Sequence, residues 1–201
     1  MRKEEQRSTF TLNAVKTLVC AGNFSAVTVR NGRVVVASGK PLVQLYSLEL
    51  SGNLRRIQKR RGWIRSLAFA DDGHVIAVDC RLLGIKDGLG IIWRIKLLNG
   101  KRKPLGHVHP LSAVRALRDF WRSPENLTHR ERLLAAGLLS WPTDVCFHDG
   151  NCYVAEARRL LRFDPRERIF DPRTDRLFFN LVAVCGWRSN NLLLLEHVLG
   201  R

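Results

Sequence analysis

Residues 141–165 read WPTDVCFHDGNCYVAEARRLLRFDP. Asp149-Gly150 is the signature of a two-residue hairpin turn. With that pair at the centre, His148 faces Asn151, Phe147 faces Cys152, Cys146 faces Tyr153 and Val145 faces Val154. One side of the hairpin then carries Val145, Phe147, Cys152 and Val154. The other carries Cys146, Tyr153 and Ala155. Both sides are apolar, as expected of a sheet covered on both faces. The third segment, RLLRFDP (159–165), alternates better, as an outer strand should.

The pattern recurs. FSAVTVRNGRVVVAS (24–38), RSLAFADDGHVIAVD (65–79) and PTDVCFHDGNCYVAE (142–156) align on Asn31-Gly32, Asp72-Gly73 and Asp149-Gly150. AVCGWRSNNLLLLEH (183–197) is a weaker fourth copy, with Ser189-Asn190 at its turn. The first hairpin again has two apolar sides: Val27, Val29, Val34 and Val36 on one, Ala26, Thr28, Val35 and Ala37 on the other. LVQLYSLEL (42–50) and GIIWRIKLL (90–98) follow as third strands. The turns are spaced by 41, 77 and 40 residues, the middle gap being nearly two periods. Small antiparallel sheets recurring at this period, each packed between neighbours, describe β-propeller blades. The expected fold is therefore mainly β: a partial or small β-propeller of about four antiparallel blades in one domain. Blades are expected at about 20–55, 62–103, 140–172 and 178–201.

Residues 141–165 also resemble one blade of the NHL and SMP-30/gluconolactonase-like propeller superfamily. The resemblance rests on Pro142, the Asp149-Gly150 turn, Tyr153-Val154-Ala155 with Glu156, and Leu161-Arg162-Phe163-Asp164. It weakens over 65–79 and further over 24–38. It implies a scaffold that closes with six blades in most relatives, that binds RNA in some, and that carries lactonase or sugar-dehydrogenase chemistry in others. The sequence departs from it at 105–139, which reads as a helical insertion in the place of a blade. LSAVRALRDFW (111–121) has Leu111, Val114, Leu117 and Trp121 at helical spacing. Thr128 and Glu131 fit a capping box, Ser123-Pro124 an alternative start, and Gly137 a stop, so helix is expected over about 111–137. With few blades visible, open edges need cover. A strand from 9–19, a helical cap or self-association would each supply it.

The 201 residues carry 34 Lys+Arg against 18 Asp+Glu, a formal charge of +16. Most of the excess is arginine, 26 against 8 lysines, which favours forked contacts to carboxylate or phosphate. The densest run is LRRIQKRRG (54–62), followed by KRK (101–103), both expected in loops on the outer side of a blade; residues 157–176 add seven arginines. Arg55, Arg56, Lys59, Arg60, Arg61, Lys101, Arg102 and Lys103 are thus the candidate contacts for an acidic protein partner, or alternatively for RNA. The same run fits a nuclear localisation patch. The five cysteines have neither CxxC nor zinc-finger spacing and read as free thiols of a reducing compartment. No apolar run is long enough to span a membrane. The expectation is an intracellular protein, cytoplasmic or nuclear.

No Walker loop, HExxH, GxSxG or GxGxxG occurs. Ser38, Asp79, Glu156 and Glu196 hold the aligned position ending each second strand. The three acids either converge as a weak divalent-metal set or cap turns locally through backbone N–H groups, the reading the residues favour. His107 and His109 read as loop residues, and His74 and His148 as exposed turn flanks. The five tryptophans read as core. No cofactor and no catalytic residue is assigned. The expected function is a non-catalytic interaction scaffold, with an RNA-binding propeller and a lactonase or sugar-dehydrogenase relative as alternatives.

Overall fold

The computed structural model describes residues 24–38, 42–48, 54–80, 89–106, 110–123, 126–166, 168–173, 178, 180–187 and 191–197. Residues 9–19, His107 and His109 lie outside this set. The first sheet is β1 (Phe24–Arg30), β2 (Arg33–Ser38), β3 (Leu42–Leu48) and β4 (Leu54–Arg61), paired in chain order. The second is β5 (Ile64–Asp71), β6 (His74–Asp79), β7 (Leu89–Lys96) and β8 (Arg102–Pro104). Two helices follow, α1 (Pro110–Arg122) and α2 (Leu127–Ala135), then the short β9 (Leu139–Ser140). The third sheet is β10 (Pro142–His148), β11 (Asn151–Glu156), β12 (Arg159–Asp164) and β13 (Ile169–Pro172). The last is a hairpin, β14 (Leu181–Trp187) with β15 (Asn191–Glu196). The fold is a β-propeller arrangement of these four sheets.

The β10–β11 register pairs His148 with Asn151, Phe147 with Cys152, Cys146 with Tyr153 and Val145 with Val154. Asp149 and Gly150 have φ of 45° and 74°, and Asn31 and Gly32 have 48° and 73°. Both central residues are left-handed, as the hairpin turn that matches strand twist requires. The two faces of this hairpin serve two cores. Val145, Cys152 and Val154, with Phe147 against them, pack with Ala68, Ile76, Val78 and Ile92 of the second blade. Ala155, Cys146 and Tyr153 pack with Leu181, Val184, Leu192 and Leu194 of the fourth. Cys146 and Cys152 thus sit on opposite faces, and both are free thiols.

Two other hairpins depart from this parity. In β5–β6 the register slips between Phe69 and Asp71. Asp72-Gly73 lacks the left-handed pair, and the Gly73 N–H instead bonds Asp71 Oδ1 at 2.8 Å. The bulge sends Leu67 and Phe69 to the first blade and Ala68 to the third. In the fourth copy Trp187 pairs with Asn191, a register one residue away from the one a two-residue Ser189-Asn190 turn would give. Val184 rather than Cys185 consequently shares the inward face with Leu192 and Leu194, while Leu193 and Leu195 are 48% and 61% exposed.

The insertion does not replace a blade. The second and third blades pack directly on each other, so the 77-residue spacing reflects an excursion rather than a lost repeat. The helices lie against Leu89 and Ile91 of β7, and β9 extends the same strand's outer edge by pairing with Leu89 and Gly90. The buried stripe of α1 is Ala113, Ala116 and Phe120, with Leu117 beside it. Val114 and Trp121, expected inward, are 67% and 44% exposed. Small alanines let α1 approach the strand, whereas a stripe chosen by side-chain size points away from it. The N-cap of α2 is Asn126, not Thr128: its side chain accepts the Thr128 N–H at 2.9 Å. Gly137, at φ 77°, ends the helix as expected, with the Leu138 N–H returning to the Leu133 carbonyl.

The run LRRIQKRRG is not a loop. It forms β4, paired with β3 from Leu54 to Arg61. An outer strand has one unpaired edge, and charges there discourage edge-to-edge association. Likewise, Arg102 and Lys103 begin β8, with Lys101 in the turn ahead of it.

Candidate functional site

The two basic runs, about 40 residues apart in sequence, meet in space. The Arg55 guanidinium donates to the Leu97 carbonyl at 3.2 Å. Gly100, at φ 67° in the β7–β8 turn, lies so close to β4 that a Cβ there would stand 2.6 Å from the Ile57 carbonyl oxygen. Only glycine tolerates both the conformation and the approach. Arg55, Arg56, Lys59, Lys101, Arg102 and Lys103 are all exposed along this joint outer rim. Their segments, 54–61 and 97–104, contain no acid. Arg60 and Arg61 continue β4. The Arg102 guanidinium sits 4.3 Å from the centroid of Trp93, so that ring face is already covered.

The aligned acids do different work. Asp79 Oδ1 accepts the Trp63 N–H at 3.1 Å, and its Oδ2 the Trp93 indole N–H at 3.3 Å. Glu156 Oε1 accepts the Ser140 N–H at 2.7 Å and the Ser140 hydroxyl at 3.1 Å, while Oε2 takes a short bond from Arg159 Nε. In both blades the acid reaches 16 residues back, to the backbone just ahead of its own first strand. Glu156, one methylene longer, reaches past Trp141, which is held at φ 48°. The next residue completes the fastening: the Cys80 N–H bonds the Trp63 carbonyl and the Ala157 N–H the Trp141 carbonyl. In the fourth blade Glu196 pairs with Leu181 on the same ladder rung, and the His197 N–H bonds the Asn180 carbonyl. Among the described residues, no three His, Cys, Asp or Glu side chains group as a metal set would.

A second repeated device carries no obvious sequence signal. Each first strand slips register near its start, around residues 25, 65, 143 and 182. At or beside three of these bulges stands a hydroxyl that bonds the neighbouring blade. Ser25 Oγ lies 2.7 Å from the Ile64 carbonyl, and Thr143 Oγ1 2.9 Å from the Leu181 carbonyl. Ser66 Oγ donates to Asp144 Oδ1 and accepts the Val145 N–H. Asp144 Oδ2 accepts the Val184 N–H at 2.9 Å, tying three blades together. The hydroxyls lie 41 and 77 residues apart, the period of the turns, and that coincidence could have revealed them.

The histidines are less exposed than expected. His148 is 18% exposed and its ring lies over Gly186, where a Cβ would collide with it. His74 is half-buried, 2.9 Å from Asp71 Oδ1, and Arg94 bonds the same carboxylate. Trp187 and Trp121 are exposed, unlike the remaining tryptophans. No described helix is long and apolar enough to cross a membrane.

No protein-family model matches the sequence, and no curated protein matches it as a relative. The fold does have counterparts among solved structures. The computationally designed Ika4 protein superposes with a TM-score of 0.55 at 12% identity, over 93% of each chain. A structural-genomics protein of unknown function from Bacteroides thetaiotaomicron gives 0.54 at 13% identity, over 85% of this chain and 41% of that one. BamB from Moraxella catarrhalis, a β-propeller, gives 0.51 at 14% identity, over 85% and 39%. The chain therefore spans about two-fifths of the length of these natural counterparts. At such identities the likeness concerns the fold: this is a β-propeller scaffold.

Proposed function

We propose that the scaffold binds an acidic protein partner through the rim shared by the first two blades. The observation that carries this reading is the convergence of two acid-free basic runs onto one exposed strip, at Arg55, Arg56, Lys59, Lys101, Arg102 and Lys103. A strip of one sign steers and orients an oppositely charged surface. A protein partner is favoured over RNA because the Arg102 guanidinium already occupies a face of Trp93 on which a base would stack. The reading is non-catalytic, since Asp79 and Glu156 are engaged by donors of their own blades. Kinship with NHL and SMP-30-like propellers belongs to the same proposal, supported by the blade at 141–165, and RNA binding, found in some of those propellers, is the alternative reading of the rim.

The test compares binding of an acidic polypeptide, poly-glutamate of about 20 residues, with a single-stranded RNA of similar length. The proteins are wild type and the charge-reversed Arg56→Glu/Lys59→Glu/Lys103→Glu variant. Poly-glutamate affinity is expected to fall at least about tenfold, equivalent to about 1.4 kcal/mol. Unchanged poly-glutamate binding would overturn the proposal. RNA binding that is tighter, and alone sensitive to the reversal, would transfer the rim to RNA.

A further inference from the structure

The order of packing inside the chain is directional. The face of the first blade carrying Ala26, Val35, Ala37, Val43 and Leu45 meets the Leu67–Phe69–Val75–Ala77 face of the second. The opposite face of the second meets Val145, Cys152 and Val154 of the third, whose opposite face meets the fourth. Every internal joint therefore sets the trailing face of one blade on the leading face of the next. One leading face and one trailing face remain without such a neighbour among the described residues.

The free leading face belongs to the first blade. Val27 and Val29 are 61% and 64% exposed there, beside Val34 and Val36. These four occupy the repeat positions of Val145, Phe147, Cys152 and Val154, which in the third blade are covered by a trailing face. The free trailing face belongs to the fourth blade. Leu193, Leu195 and Trp187 are 48%, 61% and 46% exposed, and Cys185, paired with Leu193, is exposed with them. If four blades closed a ring alone, these two faces would cover each other. They do not, so the blades form an arc, in keeping with a chain that spans about two-fifths of longer propellers.

We propose that the occupant of each free face is a second copy of this chain. The leading face of one copy would meet the trailing face of the other, twice over, in a closed ring with a two-fold axis. The repeat itself identifies what a leading face takes: a trailing face of the same chemistry. The fourth blade of a second copy presents one. Such a head-to-tail contact is heterologous, and closure of the ring keeps it from running on as a filament.

The test uses the full chain. Sedimentation equilibrium should give twice the 23.0 kDa chain mass at micromolar concentration. Val29→Asp on the leading face and Leu193→Asp on the trailing face should each give monomers. Both side chains are exposed within one chain, so circular dichroism should be unchanged. Cys185 supplies a second readout: alkylation should be slow in the wild-type dimer and fast in the Val29→Asp variant, although that substitution lies on the other face. A wild-type monomer at every concentration would overturn the proposal. If deleting residues 1–22 converted that monomer to a dimer, the face would belong to the N-terminal segment. A Val29→Asp dimer with Cys185 still protected would mean trailing faces pair with each other, and would equally overturn it. An open, larger assembly would refute closure.

Discussion

Glu156→Ala separates a fastening acid from a chemical one. Glu156 is 3% exposed and holds the Ser140 N–H, the Ser140 hydroxyl and the Arg159 guanidinium. Arg159 is itself only 12% exposed, and its NH2 already lacks a hydrogen-bond partner. Truncation would leave a buried N–H unsatisfied and a guanidinium unpaired. Removing one partner of a buried pair costs about 3–5 kcal/mol. For a chain of this size that corresponds to a fall in Tm of roughly 6–20 °C, taking 2–4 °C per kcal/mol. Glu156→Gln keeps an oxygen for Ser140 but loses the charge facing Arg159, and should cost about 1.5–3 kcal/mol. Adding Arg159→Ala to the alanine variant should recover part of the loss, because the orphaned charge goes with it. The assay is urea unfolding followed by tryptophan fluorescence, with and without chelator. The reasoning is refuted if Glu156→Ala changes stability by less than about 1 kcal/mol, a surface-like effect. It is equally refuted if chelation destabilises wild type and not the variant, since Glu156 would then be holding a metal ion.

Gly150→Ala tests the turn in isolation. No atom lies within 4 Å of the added Cβ, so the cost is that of φ 74° alone, about 1–2 kcal/mol by urea unfolding. Gly186→Ala tests the His148 contact; overpacking should cost about 1–3 kcal/mol, and adding His148→Ala should relieve it, whereas an unrelieved loss would place the strain elsewhere. Burial, with smaller contributions from Asp144 and Cys185, raises the Cys146 thiol from an ordinary 9.0 to about 12; burial and then Cys146 push Cys152 higher still. Their folded values exceed their unfolded ones, so the contribution is fully present below pH 9 and is lost as pH rises towards 12 and beyond. Stability should fall between pH 9 and 11, and fall less in a Cys146→Ala/Cys152→Ala variant; an equal fall in both would assign the effect to other groups.

The hairpin at 141–165 was legible because three signals agreed there: a left-handed turn pair, period-2 strands and apolar residues on both faces. Register, face assignment and the separation of Cys146 from Cys152 all followed. The second and fourth hairpins share the composition but not the parity. One bulge at Ala70 and a one-residue change of register in the fourth hairpin each invert which side chains of β5 and β14 face which blade, and neither alters hydrophobicity. The α1 stripe is not legible from side-chain size: Ala113 and Ala116 are buried by closeness to β7, a tertiary distance. The strand β4 was hidden by its charges, which an edge position tolerates and even favours. The convergence of its arginines with Lys101–Lys103 depends on Gly100 meeting Ile57, a contact no local pattern encodes.

Inside the arc Asp79 and Glu156 hold strand entrances, and Ser25, Ser66 and Thr143 clasp neighbouring blades. The proposed recognition surfaces are the rim and the two terminal faces. The faces also have an energetic reason to act as a pair. Val27, Val29, Leu193 and Leu195 are each about half to two-thirds exposed. Covering a wholly exposed side chain of this type gains about 1.5–3 kcal/mol, so completing these four gains on the order of 3–6 kcal/mol per joint. Association costs about 4–15 kcal/mol in lost translational and rotational freedom. One joint alone is thus marginal. Ring closure forms two joints for a single association, doubling the gain against a cost incurred once. Cooperative closure at two copies therefore predicts a monomer–dimer equilibrium with no accumulation of singly joined pairs, and one substitution on either face suffices to abolish it.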